Sequence, residues 1–317
     1  MKNKKTILPL TLGCILLAAI SCSKEEDVVE PVVETPTTTA LANTAPTAPV
    51  FNVAPANLAT GISSPLTISW LASTDADGDA ITYNVYLGTN SSSLTLVSSS
   101  QSSINYTTAD LDLMSTYYLR IDATAGSHTT PSETRNFETS DVGSFTDPRD
   151  GHQYGIKKLG TQVWMTANLV YNSTGSYSYD NNASYDVVYG RLYDWLDVPN
   201  AVPAGWHLPT DTEWQTLETY LGMPSGDLNI NGYSLSRGTD QGIQLQLGGG
   251  SGLNFPLAGY KSGSTFSAIN NRTYLWVNTD AGGGNIFRRR IVGGDASCYR
   301  FTNPYAGYAI SVRLVKD

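Results

Sequence analysis

The chain has 317 residues with 28 acidic and 19 basic side chains, which gives a formal net charge of −9 at pH 7. Nucleic acid binding depends largely on Lys and Arg contacts to phosphates, so this acidic balance argues against such a partner. The one dense basic cluster, residues 288–290, is too short to reverse that balance. The length is sufficient to bury real cores without disulfides.

The first residues have the pattern of an export signal. Basic side chains precede an apolar run over residues 7–20, and Ser21 and Cys22 follow it. The run is too short to span a bilayer comfortably. Residues 19–22, Ala-Ile-Ser-Cys, resemble a bacterial lipobox. We therefore predict a lipoprotein signal peptide over residues 1–21 and lipid on Cys22; an ordinary secretory signal with an incidental cysteine is the alternative.

An acidic cluster and a tether follow Cys22. Residues 23–27, Ser-Lys-Glu-Glu-Asp, resemble the signal that sends lipoproteins to the outer face in Bacteroidota; the alternative is a solvated charge run. We expect a lipid-anchored outer membrane protein exposed at the cell surface. Residues 22–49 are Pro- and Thr-rich without an apolar period, which predicts a disordered tether of roughly 80 Å if extended.

Processing changes the charge and the cysteine content. Loss of residues 1–21 removes three lysines and leaves 16 basic against 28 acidic residues, a formal charge of −12. Cys14 leaves with the signal and Cys22 carries lipid, so Cys298 has no partner within the mature chain. We expect Cys298 to be a small packed residue rather than a reactive thiol.

Residues 50–141 alternate apolar and polar side chains in short segments bounded by turn residues, which predicts an all-β sandwich. The predicted strands are residues 66–70, 81–88, 104–107, 117–124 and 134–139. The region resembles a fibronectin type III domain in Trp70, in Asp-Gly-Asp at residues 77–79, and in Leu111 followed by Tyr117. The resemblance implies that Tyr117 is a tyrosine corner whose hydroxyl bonds to the backbone upstream.

Carboxylates cluster at residues 75–79, Asp-Ala-Asp-Gly-Asp, and such clusters suit a calcium ion. An EF-hand loop would need Gly at the position of Ala80 and Glu at the position of Tyr86. We therefore predict a plain turn, with no metal site and no cofactor.

From about residue 147 the sequence is rich in Gly and aromatic residues. Thr210 and Glu213 form a capping box at the start of a predicted helix, on which Trp214, Leu217 and Leu221 share one face. The other predicted elements are a hairpin over residues 154–165 turning near Gly160, a short helix over residues 191–196 burying Leu192, Trp195 and Leu196, and a strand over residues 308–315 with Ile310, Val312 and Leu314 inward. This is an α+β pattern.

Five motifs in this half resemble those of the Fibrobacter succinogenes major paralogous domain. They are residues 160–169 (GTQVWMTANL), 189–195 (YGRLYDW), 203–214 (PAGWHLPTDTEW), 258–260 (AGY) and 311–317 (SVRLVKD). The resemblance covers residues 146–317 and implies a C-type-lectin-like fold, distantly related to formylglycine-generating and sulfatase-modifying proteins. Many members have cysteines where this chain has Val202 and Leu314, and an apolar contact is expected to replace that disulfide.

An enzymatic role is the less favoured hypothesis. Formylglycine-generating chemistry needs reactive cysteines, and Cys298 alone is available. His207 lies near Asp211 and Glu213, but Glu213 is explained by the capping box. The motifs of calcium-dependent sugar binding are absent from their expected places, and a fold by itself does not imply a function. We therefore predict a protein that is not an enzyme.

The favoured hypothesis is a binding module for a polysaccharide or surface protein, presented on a tether. The candidate ligand-binding residues are Tyr274, Trp276, Asn278, Tyr299, Asn303 and Tyr305. Trp164, Trp195, Trp206 and Trp214 are assigned to the core. The alternative is a structural or adhesive surface protein without a ligand pocket. Exposure of the aromatic residues between 274 and 305 as one patch would favour recognition, and their burial would favour the structural role.

Overall fold

The structure is a computed structural model that describes residues 42–52, 55–233 and 236–317. The residues Asn43–Asp317 belong to one compact unit, the second of two into which the chain divides. The predicted signal peptide, the lipidation site at Cys22 and the tether up to residue 41 lie outside the described residues. Within the part of the chain that is described, no helix has the length and apolar character needed to cross a membrane.

The N-terminal half of the second unit is a fibronectin type III-like sandwich of two sheets. Its strands are β1 (Val50–Phe51), β2 (Ala59–Ile62), β3 (Thr67–Leu71), β4 (Ile81–Gly88), β5 (Thr95–Gln101), β6 (Asn105–Thr107), β7 (Thr116–Ala125), β8 (His128–Pro131) and β9 (Arg135–Thr139). One sheet has the order β1-β3-β6, and the other β2-β9-β7-β4-β5 with β8 paired to β7. The five predicted strands are confirmed within one or two residues.

The sandwich core lies between the sheets because the alternating side chains of both face inward. Ile68 and Trp70 meet Tyr83, Val85 and Ile121 there, all of them buried. Trp70 and Tyr83 pack edge to face with ring centroids 5.4 Å apart. The inward positions of β3, β4 and β7 therefore form one apolar layer.

The tyrosine corner and the plain turn are both observed in this sandwich. The Tyr117 hydroxyl accepts a hydrogen bond from the Asp112 backbone N–H at 3.2 Å, which confirms the corner. Asp75 Oδ1 accepts from the backbone N–H groups of Asp77 and Asp79, at 3.0 and 3.1 Å. The first carboxylate of the cluster thus closes the turn itself.

Residues 43–49 lie along the sandwich. Asp77 Oδ2 accepts from both the backbone N–H and the hydroxyl of Thr44, each at 2.6 Å, and these hydrogen bonds lower the pKa of Asp77. Pro46 and Pro49 are buried. The end of the Pro- and Thr-rich segment is therefore held against the first domain.

The C-terminal half is an α+β domain. Its strands are β10 (Val142–Thr146), β11 (Gln153–Leu159), β12 (Gln162–Met165), β13 (Ser176–Tyr177), β14 (Leu192–Asp194), β15 (Trp206–His207), β16 (Ala258–Ser262), β17 (Thr265–Ile269), β18 (Arg272–Gly282), β19 (Asn285–Val292), β20 (Cys298–Pro304), β21 (Tyr308–Ser311) and β22 (Val315–Lys316). Its helices are α1 (Asp186–Tyr189), α2 (Val198–Ala201), α3 (Asp211–Tyr220) and α4 (Gln241–Leu245).

Two sheets organise this domain. The smaller has the order β10-β11-β12-β22-β15, and the larger β13-β14-β21-β16-β18-β19-β20 with β17 paired to β16. The predicted hairpin is confirmed as β11 and β12, with Gly160 at φ 60° in the turn. β22 pairs with β12 and β15, so the last residues close the small sheet.

Helix α3 begins with the predicted capping box. Thr210 Oγ1 accepts from the Glu213 backbone N–H at 3.2 Å, and Glu213 Oε2 accepts from the Thr210 backbone N–H at 2.8 Å. Trp214 and Leu217 on the apolar face are fully buried. Trp214 packs on Trp164 with ring centroids 5.0 Å apart, which joins the helix to β12.

The same helix contributes to a set of buried ion pairs that we call the charged core. Its members are Asp211 and Glu218 of the helix and the three arginines Arg237, Arg289 and Arg300. Glu218 pairs with Arg237 and Arg289, and Asp211 pairs with Arg289 and Arg300. Burial alone would raise the pKa of Asp211, but hydrogen bonds from Arg300 and the charge of Arg289 hold it below its usual range. The charged core fastens α3 to β19 and β20.

The predicted helix over residues 191–196 is wrong. Leu192 lies in strand β14, where its backbone pairs with Tyr177 and Ser311 on either side. A 3-10 turn, Trp195–Asp197, follows and leaves Leu196 70% exposed. Sheet pairing on both edges overrides the helical pattern. Trp195 is half-buried rather than a core residue.

The predicted strand over residues 308–315 divides between the two sheets. Ile310, Val312 and Leu314 are buried as predicted, but Arg313 between them is 1% exposed. Its guanidinium donates to Asn168 Oδ1 and to backbone carbonyls, at 2.6–3.1 Å for the closest contacts. Leu314 lies in the same apolar cluster as Val202, the other position at which the family resemblance implied a cysteine.

Candidate functional site

Five adjacent strands of the large sheet, β21-β16-β18-β19-β20, each contribute to a small cavity of about 60 Å³. We call it the tyrosine–arginine pocket. Its lining residues are Tyr233, Tyr260, Tyr274, Arg288, Asn303, Tyr308 and Ile310. Gly259 at φ +68° lies beside Tyr260, and a Cβ there would lie 2.3 Å from the Ser267 carbonyl oxygen. A glycine is therefore required where β16 and β17 place Tyr260.

Arg288 is the charged residue of the pocket. It is 2% exposed, and its guanidinium carbon lies 4.5 Å from the Trp276 ring and 4.7 Å from the Tyr308 ring. Its Nη2 donates to the Pro304 carbonyl, its Nε has no hydrogen-bond partner, and no carboxylate of the described residues pairs with it. Burial lowers the pKa of Arg288 to about 10, so it stays charged at neutral pH.

The tyrosines supply neutral hydroxyl groups. The hydroxyl oxygens of Tyr233 and Tyr274 are 2.7 Å apart and share a hydrogen bond. Burial, and then the Tyr233 hydrogen bond, raise the pKa of Tyr274 to about 12. Arg290 holds Tyr233 by donating to its carbonyl oxygen at 2.6 Å and by stacking 4.5 Å from its ring. The pocket therefore combines one cation with neutral hydroxyl groups and the Asn303 amide.

A wider groove of about 350 Å³ shares one lining residue, Tyr308, with the pocket. Its other lining residues include Asp194, Trp195, Asp197, Lys261 and Tyr305. The Lys261 ammonium lies 4.0 Å from the Tyr177 ring, whose hydroxyl donates to Asp194 Oδ2 at 2.9 Å. The groove thus presents aromatic rings together with hydrogen-bonding groups of positive and negative charge.

Comparison with known proteins identifies the family of the domain that contains this site. The family model described as the Fibrobacter succinogenes major domain matches residues 158–316, half of the chain. The chain belongs to that family. No curated protein matches the chain. Among solved structures, the chain is similar to the chicken CNTN1 FN1-FN3 domains at 18% identity and a TM-score of 0.25, covering 43% of this chain and 48% of that one, about half its length.

Three of the six predicted ligand-binding residues of the Fibrobacter succinogenes major domain lie at this site. Tyr274 and Asn303 line the pocket, and Tyr305 lines the groove. Tyr274 is 6% exposed, so it offers a hydroxyl group rather than the ring face that was expected. Tyr299 donates to Asp295 at 2.6 Å outside the pocket, and Asn278 lines a separate apolar cavity.

The prediction that Trp276 stacks on a ligand is wrong. Trp276 is fully buried, and its Nε1 donates to the Tyr193 carbonyl at 2.7 Å. Strand β18 is covered on both faces, because Tyr274 and Trp276 belong to one apolar cluster while Leu275 and Val277 belong to another. The Trp276 ring packs against the guanidinium of Arg288.

Sequence reasoning missed Arg288, Tyr233, Tyr260 and Tyr308. Arg288 belongs to the basic cluster that was considered only for nucleic acid binding. An alternating pattern in β19 was the available signal, since Arg288 and Arg290 lie on one face and Arg289 on the other. The aromatic residues between 274 and 305 do not form one exposed patch, because Tyr274 and Trp276 are buried, and by itself this burial favours the structural alternative.

The residues considered for catalysis have structural partners. His207 lies between Glu213 Oε1 and Asp317 Oδ1, each 2.7 Å from a ring nitrogen. Cys298 is fully buried, and burial, together with the nearby Glu218 charge, raises the pKa of its thiol to about 12. Among the described residues, no three His, Cys, Asp or Glu side chains are grouped to hold a metal ion.

Proposed function

We propose that the protein is a non-catalytic lipoprotein of the outer membrane that binds a glycan at the cell surface. The observation that carries this proposal is the tyrosine–arginine pocket with Arg288 unpaired inside it. Ligand sites are concave and combine apolar walls with a few convergent polar groups. The hydroxyl, amide and carboxylate groups here can hydrogen-bond to sugar hydroxyls, while aromatic rings offer apolar faces.

The sequence supports the location. The signal peptide and Cys22 provide for lipid attachment, and two or more acyl chains suffice for stable anchoring. The acidic residues 23–27 support export to the cell surface, and the family match fits a surface-associated domain. The tether and the sandwich would hold the binding domain away from the membrane.

The environments of the two residues considered for catalysis, Cys298 and His207, support the non-catalytic part of the proposal. A reactive cysteine has a lowered pKa and some exposure, whereas Cys298 has neither. Both ring nitrogens of His207 are held by carboxylates.

A protein ligand or a purely structural role is the second candidate. It is favoured by exposed apolar side chains elsewhere on the domain: Val187 is 89% exposed and Val188 58%. Exposed apolar groups that lie together are typical of protein contact surfaces. This candidate does not use the pocket.

A glycan screen on residues 23–317, the predicted mature chain without the lipidated Cys22, tests the proposal, with calcium in one arm and chelator in the other. We expect binding that Tyr305→Ala or Tyr308→Ala abolishes. Tyr220→Ala is the matched control, since Tyr220 is 55% exposed on the same domain and does not line the site. Absence of binding across a broad panel, or binding that survives both groove variants, would move the function to the second candidate.

A further inference from the structure

Arg288 and Arg290 differ from the other buried arginines of the domain, because each makes one hydrogen bond to a carbonyl and neither pairs with a carboxylate of the described residues. Of the two, Arg288 lines the tyrosine–arginine pocket. Arg237, Arg289 and Arg300 pair with carboxylates in the charged core. Arg313 has no carboxylate, but its guanidinium donates to an amide oxygen and to several carbonyls. Arg288 makes one hydrogen bond among the described residues, to a carbonyl. A guanidinium has five N–H donors, so most of its capacity is unused.

An unpaired charge removed from water destabilises the fold unless an opposite charge meets it. The groups around Arg288 are neutral at pH 7, because burial raises the pKa of Tyr274 to about 12 and Asn303 does not ionise. The guanidinium fork matches the two oxygens of a carboxylate. We infer that the tyrosine–arginine pocket binds the carboxylate of an acidic sugar, an inference that rests on the proposed glycan binding.

The size of the pocket limits what enters it. The pocket volume of about 60 Å³ is far below the ~300–1,000 Å³ of small-molecule sites, so it can take the end group of a ligand and not a whole sugar ring. The ring would lie in the groove that shares Tyr308 with the pocket, and its 350 Å³ is within the ~300–1,000 Å³ range of small-molecule sites. Tyr308 lines both spaces and would contact the ring where its carboxylate enters the pocket.

The groove favours an isolated carboxylate. Asp194 and Asp197 line it with one ammonium, that of Lys261, so the groove is net negative: the carboxylates can accept hydrogen bonds from sugar hydroxyls but repel a second carboxylate. The mature chain also carries a formal charge of −12, which repels a polyanion at long range. A uronic acid flanked by neutral sugars therefore fits better than a polyuronate or an acidic peptide.

Calorimetry on residues 23–317 tests the inference with matched ligands. The probes are oligosaccharides that contain one glucuronate or galacturonate, the same compounds as methyl esters, and their neutral glucose or galactose counterparts. We expect the free acids to bind at least about tenfold more tightly than the esters and the neutral sugars, as a charge-assisted hydrogen bond implies. The preference should persist at ~1 M salt, because a buried pair is screened little.

Arg288→Met removes the charge while keeping an apolar side chain against Trp276 and Tyr308. We expect it to erase the preference for the acid, so that acid and ester bind equally. Arg120→Gln in the sandwich is the control and should leave the preference unchanged. Near-ultraviolet circular dichroism checks the fold of each variant, and the comparison of acid with ester needs no variant if Arg288→Met fails to fold.

The outcomes separate the two proposals. No binding of any acidic or neutral sugar would overturn the proposed glycan binding itself. Equal binding of acid, ester and neutral sugar would leave glycan binding in place and overturn the carboxylate inference, as would an acid preference that Arg288→Met retains. Equally tight binding of a peptide with a free C-terminal carboxylate, displaced by the acidic sugar, would overturn the assignment to a sugar.

Discussion

The charged core predicts a large loss of stability for Glu218→Gln. Glu218 is fully buried and accepts hydrogen bonds from both Arg237 and Arg289. The substitution keeps the shape of the side chain but leaves Arg237 buried without a carboxylate. Breaking a buried pair in this way costs about 3–5 kcal/mol. Because a domain of this kind is stable by about 5–15 kcal/mol, about a fifth or more of its stability would be lost.

Urea unfolding followed by tryptophan fluorescence measures this loss. Of the six tryptophans, only Trp70 lies in the sandwich, so the signal reports mainly on the C-terminal domain. Asp141→Asn makes the equivalent change at a more exposed ion pair of the C-terminal domain, since Asp141 is 46% exposed beside Lys157 of β11, and about 0–1 kcal/mol is expected there. A loss below about 1 kcal/mol for Glu218→Gln would refute the reasoning, because buried arginines would then not depend on this carboxylate.

Three further predictions concern single groups. Burial opposes the charged form of His207, but the carboxylates around it raise its pKa. Its contribution to stability should therefore be full below about pH 6.5 and decline as pH rises through the folded-state pKa. His207→Gln should flatten that part of a profile of melting temperature against pH, and an unchanged slope would contradict the assignment. Cys298 should resist alkylation by iodoacetamide at pH 8 in the native protein and react after unfolding, and rapid native labelling in a mass spectrum would show that the site opens. Tyr117→Phe should destabilise the sandwich by about 0.5–1.5 kcal/mol in chemical denaturation, with Tyr118→Phe as the control, and equal losses would argue against a special role for the corner.

The parts of the fold that the sequence predicted are those fixed by local chemistry. The capping box at Thr210, the turn at Gly160 and the tyrosine corner at Tyr117 depend on a few neighbouring residues and are confirmed. The helix predicted over residues 191–196 failed because β14 is fixed by distant partners, β13 and β21. Sequence periodicity records a side chain's neighbours along the chain and not the strands that flank it.

The site was less predictable because its strands are buried on both faces. In an exposed sheet, tyrosines and arginines at alternate positions would indicate a solvent face. In β19 both faces are covered, so Arg289 enters the charged core while Arg288 enters the pocket, and three consecutive arginines resemble a surface basic cluster. What separates their roles is the partner each one meets. Arg289 has two carboxylates of its own chain, whereas Arg288 has none among the described residues, so its charge is left for a ligand to complete.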